Sequence, residues 1–465
     1  MSAAMPVATP NQTSELAAFL SALRLEEIPA RVVARAQDLV LDHLGVALHS
    51  VNLPWSTIVR DYAIATGDKP ESTIYGSRER VGRRVAALAN GTAAHGIELD
   101  DTHDESFSHP GTVVIPAALA VAEARNATGR DFLTAVIAGY EAQCRAGAAA
   151  TAAMSLGFHG TPVSGVFGAT AAVASLLKSP AEQLESAFGL AVSMASGVMQ
   201  FTEDPEGNMV KRLHGGLPAH NGILEAELAA AGLRGPRQGI DGRYGFVRMF
   251  AHSDDASRVT RNLGQSWEID QISVKLYACC RMFHAFVDAI RECRSESGVR
   301  AEEIISTEIV GPQLLLEGRM QYRPRSVMSA QYSLPYTVAA TLLLDPQDPR
   351  SFSEQAMVRP DMLVEMDKVT ATADPALDRL LPAKYPGGVR FKLKDGRVIA
   401  RTLFDSVGTP ERPLDRAGIE CKFRTLTAGI ANARLQDGIV ETVFALEREG
   451  GVARLAGLLR DCRPA

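Results

Sequence analysis

The chain contains the segment Pro116-Ala117-Ala118-Leu119-Ala120-Val121-Ala122-Glu123, in which small apolar side chains follow a proline. Proline suits the first turn of a helix, and the apolar run behind it is typical of a buried helix. Helical patterns recur from residue 16 to about residue 265, and the apolar residues between Val32 and Ala47 follow a helical period. Because alanine and glycine let helix backbones approach closely, the sequence predicts a compact helical core of several layers.

The sequence pattern changes after about Glu268. The predicted elements there are strands at residues 304–310 and 364–371, a hairpin with arms at 389–393 and 398–400 around Asp395-Gly396, and helices at 282–294 and 334–344. Helical spacing returns from about Pro410 to Arg460. We therefore predict a mainly α fold with an α+β part. A large all-helical domain comprises residues 1–268 and 404–465, and a smaller α+β domain at residues 269–403 is inserted into it.

Composition excludes several classes of partner. The chain has 465 residues, of which 46% are hydrophobic and 22% charged, and its formal net charge is −6. This is the profile of an ordinary globular protein, and it gives a nucleic-acid partner no electrostatic support. The six cysteines are too scattered for a disulfide framework, and residues 1–15 lack the basic and apolar regions of a secretion signal. We expect a cytoplasmic protein.

One apolar stretch superficially suggests a membrane span. Between Ala146 and Leu177 the only ionisable side chain is His159. Several glycines and Pro162 interrupt the stretch, and His159 lies in its middle. We therefore predict buried helices of a large core here, and no membrane partner.

Common cofactor and metal motifs are absent from the sequence. There is no GxGxxG after a predicted strand, no GxxxxGK[ST], no HExxH and no Cys/His ladder with zinc spacing. The one alternative is an oxygen and nitrogen metal site, whose ligands would come from His95, Asp100, Asp101, His103 and Asp104. The sequence does not identify a defined set of ligands for such a site, so we predict neither a metal nor a cofactor.

The strongest local signal for chemistry lies between Glu98 and Gly111. Glu98-Leu99-Asp100-Asp101-Thr102 is followed by Ser108-His109-Pro110-Gly111. His109 precedes a Pro-Gly turn that opens a predicted buried helix, which favours a functional role for it at a helix N-terminus. For His103, Asp104 and Glu105 a solvated acidic loop is the better interpretation.

Two further histidines lie among glycines. His159 lies at the mouth of a predicted apolar helix, where a satisfied core histidine is the alternative. Lys211-Arg212-Leu213-His214-Gly215-Gly216 precedes a helix predicted to begin near Ala219. A basic turn at a helix N-terminus suits carboxylate binding, and ordinary surface charge is the alternative.

The junction between the predicted domains carries a third group of candidates. It contains Lys275, adjacent Cys279-Cys280, Arg281 and His284, and a domain junction is a favoured place for a cleft. For the two cysteines, small buried side chains are a better interpretation than a redox pair. A loop before the next predicted helix contains Arg323, Arg325 and Tyr336, and these residue types indicate that it contacts an anion. The alternative is that the arginines have a structural role.

Taken together, these motifs resemble the MmgE/PrpD family. The matching pieces span residues 15 to 460 and are Ala86–Gly91, Glu98–Thr102, His109–Gly111, Gly157–His159, Lys211–Gly216, Lys275 with Cys279–Arg281 and His284, and Ser333–Tyr336. The resemblance implies a large helical domain, a smaller α+β lid and a homodimer. It also implies chemistry on small polycarboxylates without a metal or organic cofactor, as in 2-methylcitrate dehydratases, cis-aconitate decarboxylase and iminodisuccinate epimerase.

The resemblance also implies roles for individual residues. The catalytic positions it implies are His109, His159, Lys211 and Tyr336. The substrate-binding positions it implies are Glu98, Asp100, Thr102, His214, Lys275, Cys280, Arg281 and Arg323.

Two positions depart from the decarboxylase pattern. Glu98 replaces an aspartate, which is a mild change. Cys280 replaces a histidine that the resemblance associates with protonating the product carbon. Because a cysteine titrates near ~8.5 and a histidine near ~6.5, the second change makes decarboxylation less favoured.

We therefore expect a cofactor-independent lyase that eliminates water from a 2-methylcitrate-like substrate. An epimerase or racemase, a cis-aconitate-type decarboxylase and a catalytically silent binding protein on the same fold are the alternatives.

Overall fold

A computed structural model describes residues 11–66, 69–204, 208–381, 383–448 and 451–463. Residues 1–10, which belong to the segment where no secretion signal is predicted, lie outside the described residues. The fold is mainly helical with a smaller α+β part, as the sequence predicts.

Ten α-helices of the described chain precede the lid segment, the name used here for the part from His284 to Leu403. They are α1 Gln12–Ala22, α2 Ala30–Ser50, α3 Pro54–Ala65, α4 Arg83–Ala94, α5 Gly111–Ala124, α6 Gly129–Ala149, α7 Gly160–Leu177, α8 Ala181–Ala191, α9 Val210–Ala230 and α10 Phe246–Ala251. Helices α4, α5, α6, α7 and α9 pack on one another and form the central layers. Helices α5 and α7 are apolar and buried on nearly every side, which explains why their sequence lacks a polar stripe.

Glycine permits the close approach of α4 and α9. A Cβ atom at Gly216 would collide with the carbonyl oxygen of Leu88. The two helices can therefore approach closely enough for the first turns of α9 to lie beside the end of α4. This approach brings His214 near His95.

Two predicted helix starts are wrong. Helix α5 begins at Gly111 and contains Pro116 in its interior, and α9 begins at Val210, not near Ala219, and contains Pro218. An interior proline removes one backbone hydrogen bond and costs about 3 kcal/mol in an isolated helix. Both prolines are buried among neighbouring helices, so tertiary packing outweighs the local preference that the prediction used.

The described part of the lid segment contains seven α-helices and one four-stranded sheet. The helices are α11 His284–Ser297, α12 Gln313–Leu316, α13 Val327–Gln331, α14 Leu334–Leu343, α15 Glu354–Met357, α16 Pro360–Met366 and α17 Pro375–Asp378. Two pairs of two-residue strands lie elsewhere in the described chain, and they are β1 Ser72–Thr73 with β2 Arg80–Val81, and β3 Thr102–His103 with β4 Ile272–Ser273. The lid strands are β5 Ile304–Gly311, β6 Val369–Ala373, β7 Gly387–Leu393 and β8 Val398–Leu403.

The sheet order is β6-β5-β7-β8. Strand β5 is parallel to β6 and antiparallel to β7, and β7 and β8 form the predicted hairpin, with Gly396 at a φ of +89° in its turn. The predicted strand at residues 364–371 is wrong in its first half, because α16 extends to Met366. Pro360 occupies the first turn of that helix, and Met362 and Met366 lie one turn apart on its buried side.

The C-terminal helices return to the first helical region. They are α18 Arg416–Thr427, α19 Ala433–Ala445 and α20 Ala453–Asp461. Helices α18 and α19 pack against α2, and α20 contacts β1. The apolar side chains from Tyr277 to Leu393 form a separate cluster, which also includes Ile97 and Leu99 of the first region. The domain boundaries at residues 268 and 403 stay predictions.

Helix α7 is long and apolar enough to cross a membrane, but 89% of it is buried inside the protein. The core helix of a protein without any membrane segment passes the same length and composition test. All six cysteines are free, and Cys421 is the exposed one among them.

Glu225 gives the helical core a pH-dependent stability. Its side chain is buried in α9, the Thr170 hydroxyl donates to Oε2 at 2.9 Å, and Oε1 has no hydrogen-bond partner. Burial raises the pKa of Glu225 to about 8 from an ordinary 4.5. Since the unfolded chain ionises first, stability falls as the pH rises between these two values, by about 1.4 kcal/mol for each pKa unit.

We expect Glu225→Gln to raise the melting temperature relative to wild type at pH 8 and to change it little at pH 4.5. The glutamine keeps the shape of the side chain and removes the ionisation that costs free energy. Thermal denaturation at both pH values measures the effect. Glu227→Gln, a partly exposed position on the same helix, is the matched control. An equal shift at both pH values would contradict the explanation.

Candidate active site

A cavity of about 120 Å³ lies between the helical region and the lid segment. Both regions contribute to its wall. Of the predicted site residues, its lining includes Glu98, Thr102, His109, His159, Lys275, Cys280 and Arg281. The cavity therefore combines three stretches that are far apart in the sequence, at the junction where a small-molecule site is commonly found.

Four histidines meet beside this cavity because several helix ends meet there. His95 ends α4, His109 lies just before α5, His159 caps the start of α7, and His214 lies near the start of α9. The ring centroids of His95 and His109 are 5.1 Å apart, and those of His159 and His214 are also 5.1 Å apart. The rings of His95 and His159 stack at 5.9 Å. Such a cluster avoids mutual repulsion only if most of its members are neutral.

His109 is held as a neutral imidazole. Its Nδ1 lies 2.8 Å from the carbonyl oxygen of Asp101 and 3.2 Å from a carboxylate oxygen of Asp100. A carbonyl oxygen only accepts hydrogen bonds, so Nδ1 donates and Nε2 has the free lone pair. Burial, opposed by Asp100 and reinforced by Lys275, lowers the pKa of His109 to about 3. His109 can therefore accept a proton at neutral pH.

His159 and His214 form a second pair. Their Nδ1 atoms are 2.9 Å apart, so one ring donates and the other accepts. Burial and the charge of its neighbours hold the pKa of His159 well below its usual range, and burial lowers that of His214 to about 3. His159 lines the cavity, whereas His214 does not, so His214 positions His159 from behind.

Glu98 is surrounded by three buried cations. Lys211 and Arg212 bond to its Oε1, and Lys275 lies 3.4 Å from its Oε2. Although burial alone would raise the pKa of Glu98, the three cations hold it well below its usual range. Glu98 has a φ of +58°, an uncommon conformation for a residue with a side chain. The cluster carries more positive than negative charge, which suits a site for carboxylates.

Comparison with known proteins identifies the family. The profile of the MmgE/PrpD N-terminal domain matches residues 14–259, and that of the MmgE/PrpD C-terminal domain matches residues 277–447. This chain belongs to the MmgE/PrpD family. The resemblance noted in the sequence is therefore confirmed.

Similar members of the MmgE/PrpD family cover nearly the whole chain. The cis-aconitate decarboxylase-like protein oryM of Aspergillus oryzae is 30% identical, with 97% of each chain covered. The cis-aconitate decarboxylase of Aspergillus terreus is 28% identical over 96% of this chain and 95% of its own. The human cis-aconitate decarboxylase is 27% identical over 97% of this chain and 95% of its own.

Two residues implied by the family resemblance lie behind the cavity wall. Lys211 is 1% exposed and donates to Glu98 and, at 2.8 Å, to the hydroxyl of Tyr332. Asp100 accepts from His95 at 2.7 Å and orients His109. Both residues can act on a ligand only through the groups that they contact.

Two other implied residues lie away from the cavity. The Tyr336 hydroxyl donates to the carbonyl of Ser351 at 2.7 Å inside the lid core. Arg323 is exposed, and one nitrogen of its guanidinium, Nη2, donates to both carboxylate oxygens of Asp367. The catalytic role expected for Tyr336 and the binding role expected for Arg323 are therefore not supported by their positions.

Sequence reasoning missed several residues of the wall. Tyr332 lines the cavity and lies four residues before Tyr336, in the turn between α13 and α14. The conspicuous Ser-Leu-Pro-Tyr motif therefore drew attention to the neighbouring Tyr336, which does not line the cavity. Arg319, Tyr385 and Phe201 also line it, and no local pattern marks them. Only their spacing in three dimensions brings them to the site.

The metal site considered from the sequence does not form as proposed. Asp100 bonds to His95, and Asp101 accepts from Tyr140 and from the backbone N–H of Gly111. A different group, comprising His103, Glu105 and Glu268, has ligand atoms within 4.8 Å of one another in the described chain. The guanidinium of Arg258 bonds to both of its carboxylates, which already supplies the compensating positive charge.

We expect kcat/KM to stay nearly constant between pH 5 and pH 7.5 if His109 is the base. Only the neutral imidazole accepts a proton, and a base with a pKa of about 3 is already neutral throughout this range. An unperturbed histidine would instead lose activity as the pH falls through ~6.5. Initial rates across the range measure the profile, with circular dichroism to confirm that the fold persists. A half-maximal point near pH 6.5 would contradict the assignment.

Proposed function

We propose that the protein is a lyase that removes a proton next to a carboxylate of a small polycarboxylate. The observation that carries the proposal is the neutral His109, whose Nδ1 is tied to Asp101 and Asp100 while its ring faces a cavity lined by cations. A proton next to a carboxylate is weakly acidic, so its removal needs both a base and positive charge close to the developing anion. The site provides both.

Different residues bind the substrate, remove the proton and stabilise the resulting charge. Lys275, Arg281 and Arg319 on the wall bind substrate carboxylates. Nε2 of His109 takes the proton from carbon, and Lys275 stabilises the negative charge that develops. His159, whose ring centroid lies 6.4 Å from that of His109, is the alternative base. No step of this chemistry requires a metal or an organic cofactor.

Tyr332 supplies the proton for the leaving group. When the carbon–oxygen bond breaks, the departing hydroxyl takes the Tyr332 proton and leaves as water, and a carbon–carbon double bond remains. Burial raises the pKa of Tyr332 well above its usual range, but hydroxide is a strong base and Lys211 stabilises the tyrosinate that forms. This reaction is the elimination of water from a 2-methylcitrate-like substrate.

Decarboxylation is the second candidate reaction. One observation favours it and another disfavours it. The similar proteins in Aspergillus and in human are named cis-aconitate decarboxylases. Cys280, however, lines the cavity where the resemblance expects a histidine that protonates the product. A neutral base that faces the cavity also fits proton abstraction better than proton donation, so dehydration is the function that we place first. The cytoplasmic location and the homodimer both stay predictions. Light scattering would test the homodimer.

We expect NMR in deuterated water to show water elimination from 2-methylcitrate, with an alkene as the product. Parallel incubation with cis-aconitate tests decarboxylation through loss of carbon dioxide. Exchange of the proton next to the carboxylate without an alkene would indicate an epimerase, and binding without any turnover would indicate a silent binding protein.

Activity should survive dialysis against EDTA, because no step of the proposed reaction uses a metal ion. Loss of activity on dialysis, followed by its restoration by a divalent cation, would contradict the metal-free reaction.

We expect Tyr332→Phe to lower kcat by ~10²–10⁴-fold and to change KM little, because the variant loses only the proton donor. Tyr336→Phe is the matched control, since it removes the same hydroxyl from the same short stretch but outside the cavity. That control should lower the melting temperature slightly and leave kcat unchanged. Steady-state kinetics on both variants test the assignment, and equal kcat values for the two would contradict it.

A further inference from the structure

A second, larger chamber adjoins the candidate active-site cavity, which is called the inner cavity below. It has a volume of about 440 Å³, and Phe201, Arg319 and Tyr332 line both spaces. A substrate group that leaves the inner cavity past these three residues would therefore enter the outer chamber. The proposed elimination uses only the inner cavity, so the outer chamber has no role in it.

Arg319 lies at the junction of the two spaces and has no carboxylate partner among the described residues. Its Nε is buried without a hydrogen-bond partner, and its guanidinium lies 5.2 Å above the ring of Tyr332. The other cations of the wall differ, since Arg281 pairs with Asp104 at 2.7 Å and Lys275 lies 3.4 Å from Glu98. A buried guanidinium nitrogen without a partner is costly unless a ligand completes it. Arg319 is thus the wall cation most available to an incoming carboxylate.

The outer chamber favours an uncharged occupant. Phe201, Met320 and Met328 contribute apolar surface to its wall. Two carboxylates, those of Glu203 and Asp204, also line it and disfavour a further anionic group such as a phosphate. The rest of the wall includes the polar side chains of Thr202, Gln321 and Ser329. A flexible alkyl chain can pack against the part of the wall formed by Phe201, Met320 and Met328, because methionine side chains adapt to irregular apolar shapes.

We propose that Arg319 binds one substrate carboxylate at the junction and that an uncharged chain next to this carboxylate extends into the outer chamber. The preferred substrate is then a tricarboxylate with an alkyl substituent longer than methyl. This inference rests on the proposed function for the reaction itself, but the binding step can be tested without turnover.

The first experiment measures binding of tricarballylate, a tricarboxylate without a hydroxyl group to eliminate, by isothermal titration calorimetry. Arg319→Gln should weaken binding roughly 10-fold to 100-fold, the range for one charge-assisted hydrogen-bonded contact. Arg323→Gln, which removes an exposed arginine of the same lid segment, is the matched control and should bind like wild type. Equal affinities for both variants would overturn the role of Arg319, whether or not the enzyme turns any substrate over.

The second experiment compares 2-alkylcitrates with methyl, ethyl, propyl and butyl substituents, using thermal shift for binding and NMR for turnover. Wild type should bind the longer chains at least as tightly as the methyl compound. Met328→Trp, and independently Met320→Phe in case the first variant fails to fold, should weaken binding of the propyl and butyl compounds only. Wild-type affinity that falls steadily from methyl onward would overturn the chain-length inference. Binding with this pattern but without turnover would contradict the proposed reaction alone.

Discussion

The carboxylate of Glu98 is the group on which the site depends. It compensates Lys211 and Arg212 from the first turn of α9 and Lys275 from the segment that leads into the lid. Without it, three cations would lie buried and close together, and removal of one partner from a buried ion pair typically costs about 3–5 kcal/mol. The left-handed backbone at Glu98 is the conformation in which its carboxylate reaches all three.

The same positive charge determines the state of the histidines. Burial and nearby cations keep His109 and His159 neutral, and the anionic Asp100 and the carbonyl of Asp101 orient His109 without protonating it. The site therefore combines cations that attract carboxylates with bases that are free to accept protons. In water the cations would attract a carboxylate more weakly, because solvent screens charges, and they would also lower the pKa of a nearby histidine less.

Much of the fold could be predicted from local patterns. The helical period of α2, the strand at β5 and the Asp-Gly hairpin of β7 and β8 each depend mainly on neighbouring residues, and each was predicted. The errors at Pro116 and at Pro218 have one cause. At these positions the burial of whole helices against neighbours outweighs the backbone preference of a single residue. The error in α16 differs, because Pro360 in its first turn and the buried Met362 and Met366 one turn apart are local helix signals that the predicted strand overlooked.

The sequence by itself determined which residue types were available and which helix ends would present His109 and His159, because capping and turn chemistry are local. It also identified Lys275 and Cys280 through their place at a junction between two kinds of pattern. Only the tertiary structure decided that Lys211 and Asp100 lie behind the wall, that Tyr332 and not Tyr336 faces the cavity, and that Arg319 reaches it. The physical reason is that a side chain's access to a ligand depends on contacts between elements far apart in the chain, and no local pattern encodes those contacts.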